Sequence, residues 1–209
     1  MLTTLIPVFP LPDVVLFPGV FLPLHIFELR YREMVKDSLA EDRLIGISLL
    51  RPGWDRDTQG SPAIYPVGCV GLISHIEELS DGRYNLVLRG VEKFRVVREE
   101  EPARAYRRAS VDYVEERMTA ADREAVRRQR HHLERLLTAV ADTPDQPFPS
   151  TLSDEEVINA LAQYLDLEPI ERQALLEQDG IVRRCGALIE LLEMKEMAGS
   201  HAPDRGLRH

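Results

Sequence analysis

Cysteine is scarce in this chain: Cys69 and Cys185 are the two in 209 residues, and they form no CxxC pair. A disulfide framework and a cysteine-rich zinc ribbon are excluded. Lysine is nearly as scarce, since Lys36, Lys93 and Lys195 are the whole complement among 26 cationic residues. None belongs to a GxxxxGK[ST] run, so the backbone cradle and lysine that hold nucleotide phosphates are missing. None has the setting of a Ser-Lys dyad either, and all three read as solvated charges. The six histidines, His25, His75, His131, His132, His201 and His209, include no HExxH. His131 and His132 are adjacent and therefore face different sides of a helix, so a shared metal is not expected. No apolar run approaches the ~20 residues of a membrane helix, and the N-terminus lacks the layout of a signal peptide. These absences favour a reduced, cytoplasmic setting and a protein without metal or other cofactor.

What the chain does contain is globular. With 44% hydrophobic and 29% charged residues it lies near the average, and its length implies one to two domains. The 35 acidic residues leave a net charge of −9, which opposes non-specific binding to nucleic-acid phosphates.

The first 116 residues hold 8 of the 12 glycines and 9 of the 14 prolines. That pattern predicts short strands joined by turns. Leu5 to Phe9 and Val14 to Leu16 read as edge or bent strands separated by Pro10 and Pro12. Asp81-Gly82 predicts a hairpin between Val67–Leu79 and Arg83–Arg89, with Tyr84, Leu86 and Leu88 on one face. Val67–Leu79 is apolar on both faces and is expected to be central, with Gly68 and Gly71 marking bends or close backbone approach. Phe94–Arg98 and Ala109–Val114 continue the alternation. Phe27, Tyr31, Met34, Val35 and Leu39 recur at helical spacing and predict one helix between His25 and Ala40.

After Glu116 the period becomes helical. Thr119 with Asp122, and Ser153 with Glu156, predict capped helix starts. Pro169 suits the first turn of a third helix, Gly180 its end, and Ile181, Cys185, Leu188, Ile189 and Leu192 the core face of a fourth. The segment 142–150 reads as a loop and 199–209 as a frayed tail. The expected domains are 1–116 and 117–198.

Ile6-Pro-Val-Phe-Pro-Leu-Pro-Asp-Val-Val-Leu-Phe-Pro-Gly-Val-Phe-Leu-Pro-Leu24 resembles the opening of the Lon protease N-terminal domain, which is also met as a stand-alone protein and in cereblon. Leu88-Arg-Gly-Val-Glu-Lys-Phe-Arg95, with the preceding hairpin, and Glu171-Arg-Gln-Ala-Leu-Leu-Glu177 extend the resemblance over nearly the whole chain. His25-Ile-Phe-Glu-Leu-Arg-Tyr-Arg32 is most similar to the stand-alone members. The resemblance implies an α+β protein: an N-terminal PUA-like β-barrel with one or two helices, followed by a C-terminal helical bundle. It also implies a role in engaging unfolded or tagged polypeptides, without the ATPase and protease domains that accompany this region in full-length Lon.

The expected function is therefore a non-enzymatic polypeptide-binding or adaptor module, holding extended apolar segments by backbone pairing at a strand edge and by aromatic contacts. Its contact candidates are Phe17 and Phe21, around the Pro18-Gly19 turn, and Trp54, in the polar loop 51–60. Two readings of other classes stand beside it. An RNA-binding PUA-like protein would use Arg123, Arg127 and Arg130, although salt bridging or solvation of that helix explains the same charges. A hydrolase would need residues that the sequence does not display.

Overall fold

The structure is a computed structural model that describes residues 2–56, 62–101, 104–140 and 152–200; the side chains of 138–140 and 199–200 are not described. The chain is α+β. Its elements are β1 (Leu5–Leu11), β2 (Phe21–Ile26), α1 (Leu29–Ala40), β3 (Leu44–Leu49), β4 (Val67–Glu78), β5 (Tyr84–Glu99) and β6 (Arg107–Val114), then α2 (Ala120–Val140), α3 (Asp154–Tyr164), α4 (Pro169–Leu176) and α5 (Ile181–Ser200). A 3-10 turn at Trp54–Arg56 follows β3.

Strand order is β2-β5-β4-β3-β1-β6, and β6 also pairs with β5. Five strands thus close into a ring, which removes their free edges, while β2 is attached outside it through β5. All pairings are antiparallel except β1 with β3, which are connected through β2 and α1. Of the edge or bent strand that its prolines predict, the edge reading fails for β1, because it lies between β3 and β6. Leu5–Val8 pairs with β6 and Val8–Leu11 with β3, so each half keeps one side without a ladder, where a proline nitrogen forfeits nothing. Val14–Leu16 is not a strand; Val15 and Leu16 are buried from a loop.

β4 is central, as its two apolar faces predict, and the Asp81-Gly82 hairpin joins it to β5. Asp81 accepts the Arg83 backbone N–H at 3.1 Å and its Nε–H at 2.7 Å, contacts that hold the Asp81 carboxyl below its ordinary range. At Gly68 an added methyl would collide with the Ile47 carbonyl and the Phe94 ring, which is the close approach read from the sequence. Ile45, Ile47, Cys69, Ile73, Leu86 and Leu88 pack with Tyr31, Met34 and Val35 of α1; Ile6, Val8, Val70, Phe94 and Val111 fill the other part of the core. Lys93, expected in solvent, is buried, on a stretch of β5 paired to both β4 and β6.

β5 changes neighbours midway. Tyr84–Arg89 pairs with β2, whereas Lys93–Glu99 pairs with β6. Between them lies Gly90, whose N–H donates to Val20 O at 2.8 Å and whose carbonyl accepts the Gly19 N–H at 2.9 Å. A methyl on Gly90 would collide with the Phe17 carbonyl.

The chain divides into two compact units, one of residues 1–115 with 159–177 and one of 116–158 with 178–209. The first boundary falls where the period changes, but 159–177 belongs with the barrel rather than with the other helices. Long-range side-chain hydrogen bonds account for this. Asn159 Nδ2 donates to Pro18 O, Gln163 Nε2 to Phe21 O, and Gln173 Nε2 to Val67 O, at 3.0, 3.3 and 3.0 Å.

In the second unit α2 packs on α5, with Val126, Leu133, Ile181, Cys185 and Leu188 buried. Both expected caps form: Asp122 N–H donates to Thr119 Oγ1 at 3.1 Å, and Glu156 N–H to Ser153 Oγ at 3.2 Å, with each carboxylate accepting the reciprocal bond. Pro169 begins α4. Gly180 opens α5 instead of ending α4, its carbonyl accepting the Arg184 N–H at 3.1 Å. The fully buried Arg184 donates to Glu116 Oε1 at 2.6 Å. Residues 142–150 and 201–209 lie outside the described residues, and the tail expected from 199 begins within α5.

Two substitutions test this account. Gly90→Ala should lower stability by roughly 2–3 kcal/mol, because the obstructing atom is backbone and cannot swing away; thermal or urea unfolding measures it. Burial, and next the Glu116 charge, raise the Glu155 carboxyl above 4.5. The native state then holds this proton more tightly than the unfolded chain, so stability falls as pH rises through the window above 4.5. Glu155→Gln should therefore raise the melting temperature at pH 7, with a gain that shrinks toward pH 4.5.

Candidate binding surface

The outer face of β2, β5 and β4 carries several of the exposed apolar side chains of the barrel unit. Side chains alternate along β2, so Leu22 and Ile26 enter the core while Phe21, Pro23 and His25 face out. Past the strand the alternation stops: residues 27–30 are all exposed, Phe27 and Leu29 at 61% and 77%, and Leu29 opens α1. Phe27 was expected on the core face of a helix, but α1 starts two residues later, and its ring instead stacks 6.2 Å from that of His25. Phe21, Pro23 and His25 are thus exposed in alternation along β2, and Phe21, Phe27 and Leu29 are the large apolar side chains exposed between 21 and 29.

A second row crosses the sheet. Phe21 pairs with Arg89, and Arg89 with Leu72. Phe21 and Leu72 are 51% and 37% exposed. Two residues away along β5 are the half-buried Val87 and the exposed Val91, which follows the irregularity at Gly90. Arg89 is thus flanked by apolar side chains on four sides, and among the described residues no carboxylate pairs with it.

Below that row a polar chain crosses the same strands. Asn85 Nδ2 donates to Glu77 Oε2 at 3.0 Å, His25 Nδ1 lies 2.7 Å from Asn85 Oδ1, and Arg83 Nη1 lies 3.3 Å from His25 Nε2. An acceptor at Nδ1 and a donor at Nε2 assign a neutral His25 carrying its proton on Nδ1. The chain is structural: it ties β2 to the hairpin.

The edge of β2 is open only in part. Gly90 N–H donates to Val20 O, so by alternation the backbone groups of Phe21, Pro23 and His25 point away from β5. The Phe21 carbonyl is occupied by Tyr164 Oη at 2.6 Å and Gln163 Nε2 at 3.3 Å, and Pro23 has no N–H. A strand pairing along the whole edge is blocked; the stretch around His25 stays available.

Of the three aromatic candidates, Phe21 belongs to this surface. Phe17 does not: its side chain is fully buried, and its N–H donates to Gln163 Oε1 at 3.0 Å, so it serves the core rather than a partner. Trp54 is 43% exposed but follows β3, and two strands separate β3 from β2 in the sheet. Residues 57–61 of its loop lie outside the described residues. The arginines of α2 are largely compensated. Arg127 and Arg128 pair with Glu124 at 3.6 and 3.4 Å, and Arg130 donates to Glu134 at 2.9 Å and to Asp154 at 2.6 Å. Arg123 is exposed. Arg104 pairs with Asp37 at 2.8 Å, and Arg107 with Glu99 at 3.4 Å. Among the described residues no group of three or more His, Cys, Asp or Glu could hold a metal ion, and no helix is long and apolar enough to cross a membrane. Burial pushes the Cys185 thiol up to about 12, with Asp154 adding to the effect, so it is no nucleophile at neutral pH.

The family model described as the ATP-dependent protease La (LON) substrate-binding domain matches residues 5–194, and this chain belongs to that family. Among curated relatives, Lon protease 2 of Myxococcus xanthus is 29% identical over 197 residues, covering 91% of this chain and 24% of its own length. Lon protease 2 of Syntrophobacter fumaroxidans is 31% identical over 175 residues, covering 81% and 22%. The chain thus spans about a quarter of the length of these relatives, and the match is to their substrate-binding region. The crystal structure of a Lon N-terminal domain protein from Xanthomonas campestris superposes with a TM-score of 0.59 at 24% identity, covering 91% of this chain and 98% of that one. The N-terminal domain of Mycobacterium avium complex Lon protease gives 0.63 at 17% identity, covering 90% and 98%. Both have the same fold.

Gln163 holds the segment that presents Phe21, since it accepts from Phe17 N–H and donates to Phe21 O. Gln163→Leu keeps the volume but strands a buried N–H, and should cost about 1–3 kcal/mol in urea unfolding. Tyr164→Phe, which removes a bond from an exposed hydroxyl, should cost less than 1 kcal/mol.

Proposed function

We propose that this protein binds extended or unfolded polypeptide through the outer face and open edge of β2, and that the chain itself hydrolyses neither ATP nor peptide bonds. The observation that supports the reading is the alternate exposed residues Phe21, Pro23 and His25 on β2, a strand with one sheet neighbour, followed by exposed Phe27 and by exposed Leu29 at the start of α1. An extended segment lying beside it would meet a row of apolar side chains at its own two-residue period, with the backbone near His25 free to pair. Membership of the substrate-binding family is in line with this role. Side-chain contact rather than pairing along the entire edge carries the binding, because Pro23 and the occupied Phe21 carbonyl interrupt that edge. The protein acts as an adaptor or holding module in protein quality control, presenting a chain to a partner that does the chemistry. Trp54 is a secondary contact. Nucleic acid is a weaker candidate, since Arg127 and Arg130 already have carboxylate partners.

Titration of a permanently unfolded probe, reduced and carboxymethylated α-lactalbumin, tests the reading. Phe21→Ala and Phe27→Ala should each weaken binding by roughly 1–2 kcal/mol and leave the melting temperature nearly unchanged. Neither ATP nor casein should be turned over. Unchanged affinity in the double variant would overturn the proposed surface.

A further inference from the structure

The four-sided apolar setting of Arg89 carries a more specific inference, which rests on the polypeptide-binding reading. Most other guanidiniums of the barrel unit that lie near acids are engaged: Arg30 with Glu28, Arg83 with Asp81, Arg98 with Glu100 and Arg104 with Asp37, each within 3 Å. Arg89 stands apart. It is exposed at the centre of Phe21, Leu72, Val87 and Val91, and no described carboxylate reaches it. Surrounding apolar groups thin the water around such a cation once a ligand covers them, which strengthens an ion pair formed there.

We propose that Arg89 is a specificity-determining residue for an acidic side chain within an extended apolar segment. Charge complementarity selects a carboxylate, and the surroundings select its position. Along β5, Val87 and Arg89 are two residues apart, about 6–7 Å, which is the spacing of alternate side chains in an extended peptide, and Val91, the residue that the register shift leaves unpaired, is exposed on the far side of Arg89. A segment of the form apolar-x-acid-x-apolar laid along β5 therefore places its carboxylate on the guanidinium and its flanking apolar groups on the two valines, with Phe21 and Leu72 on either side. A chain terminus would cover one half of this patch and leave the other in water, so the carboxylate belongs to an internal Asp or Glu.

Fluorescein-labelled nine-residue peptides with capped termini test the inference: Val at positions 3 and 7, Ser elsewhere, and Glu, Gln or Lys at position 5. A fourth peptide has Gln at position 5 and a free C-terminal carboxylate. Anisotropy should show the Glu peptide binding roughly five- to tenfold more tightly than the Gln peptide, with Lys weakest and the preference falling with added salt. In Arg89→Gln the Glu and Gln peptides should bind alike, at the affinity of the Gln peptide for the unaltered protein, and Arg89→Lys should keep part of the preference. Equal binding of Glu and Gln peptides to the unaltered protein, or a preference that survives Arg89→Gln, overturns this subsite and leaves the polypeptide-binding reading standing. Tighter binding of the free-terminus peptide overturns the internal position. Failure of all four peptides and of the unfolded probe overturns both.

Discussion

β5 can serve two partners because the backbone at Gly90 has no side chain. Up to Arg89 the strand runs beside β2; beyond Val91 it runs beside β6 and closes the barrel. The change of partner requires β2 to leave and the Phe17 carbonyl to press against the β5 backbone, which a Cβ would forbid. From this crossing the other features follow. The loop before β2 becomes a platform whose carbonyls and N–H groups, those of Phe17, Pro18 and Phe21, are taken up by Gln163, Asn159 and Tyr164. The latter half of α3 is therefore bound to the barrel. Val91, left unpaired by the register shift beside Gly90, is exposed next to Arg89, so the backbone event that closes the core lies beside the outer face.

An exposed apolar strand with a free edge invites pairing with a second copy of itself. Two devices limit that here. Pro23 removes a donor at the middle of the edge, and α3 occupies the Phe21 carbonyl at its start. What survives is an apolar surface whose backbone is only locally available, which tolerates a short passing segment better than a long matching strand. The His25 chain from Glu77 through Asn85 to Arg83 works in the same direction, because it fixes β2 to the hairpin by side chains rather than by a further strand.

Features whose causes are local were legible in the sequence. Thr119 with Asp122 and Ser153 with Glu156 are reciprocal caps three residues apart, and Asp81-Gly82 turns a hairpin by its own geometry. The β character of the first unit followed from its glycines, prolines and alternation. The membership of 159–177 did not follow, because Asn159, Gln163 and Gln173 look like ordinary polar helix residues until their acceptors, more than a hundred positions away, are in place. Phe17 and Phe21 were indistinguishable for a related reason: inward and outward are defined only once a strand begins, and β2 begins at Phe21. Phe27 fitted a helical period by coincidence of spacing with Tyr31 and Met34. The alternation of Phe21, Pro23 and His25 ends with β2 at Ile26, so no strand period in the sequence separates Phe27 from the helix. Arg89 left no trace in the sequence at all, since its isolation from carboxylates is a property of three strands together.

The net charge of −9 sets how any cationic contact on this protein can act. At physiological salt a charge is screened within about 8 Å, so one guanidinium on a predominantly acidic molecule does not steer an approaching chain. Encounter is governed by the apolar stripe and by diffusion. A cation embedded among apolar side chains acts after contact, when the ligand has displaced water from its surroundings and the effective dielectric has fallen. Its influence therefore falls on the dissociation rate and not on the association rate, the usual route by which affinities at one interface diverge. Under the proposed polypeptide-binding role this division would be useful: apolar contact would admit chains broadly and briefly, and a charge felt only at close range would decide which of them stay.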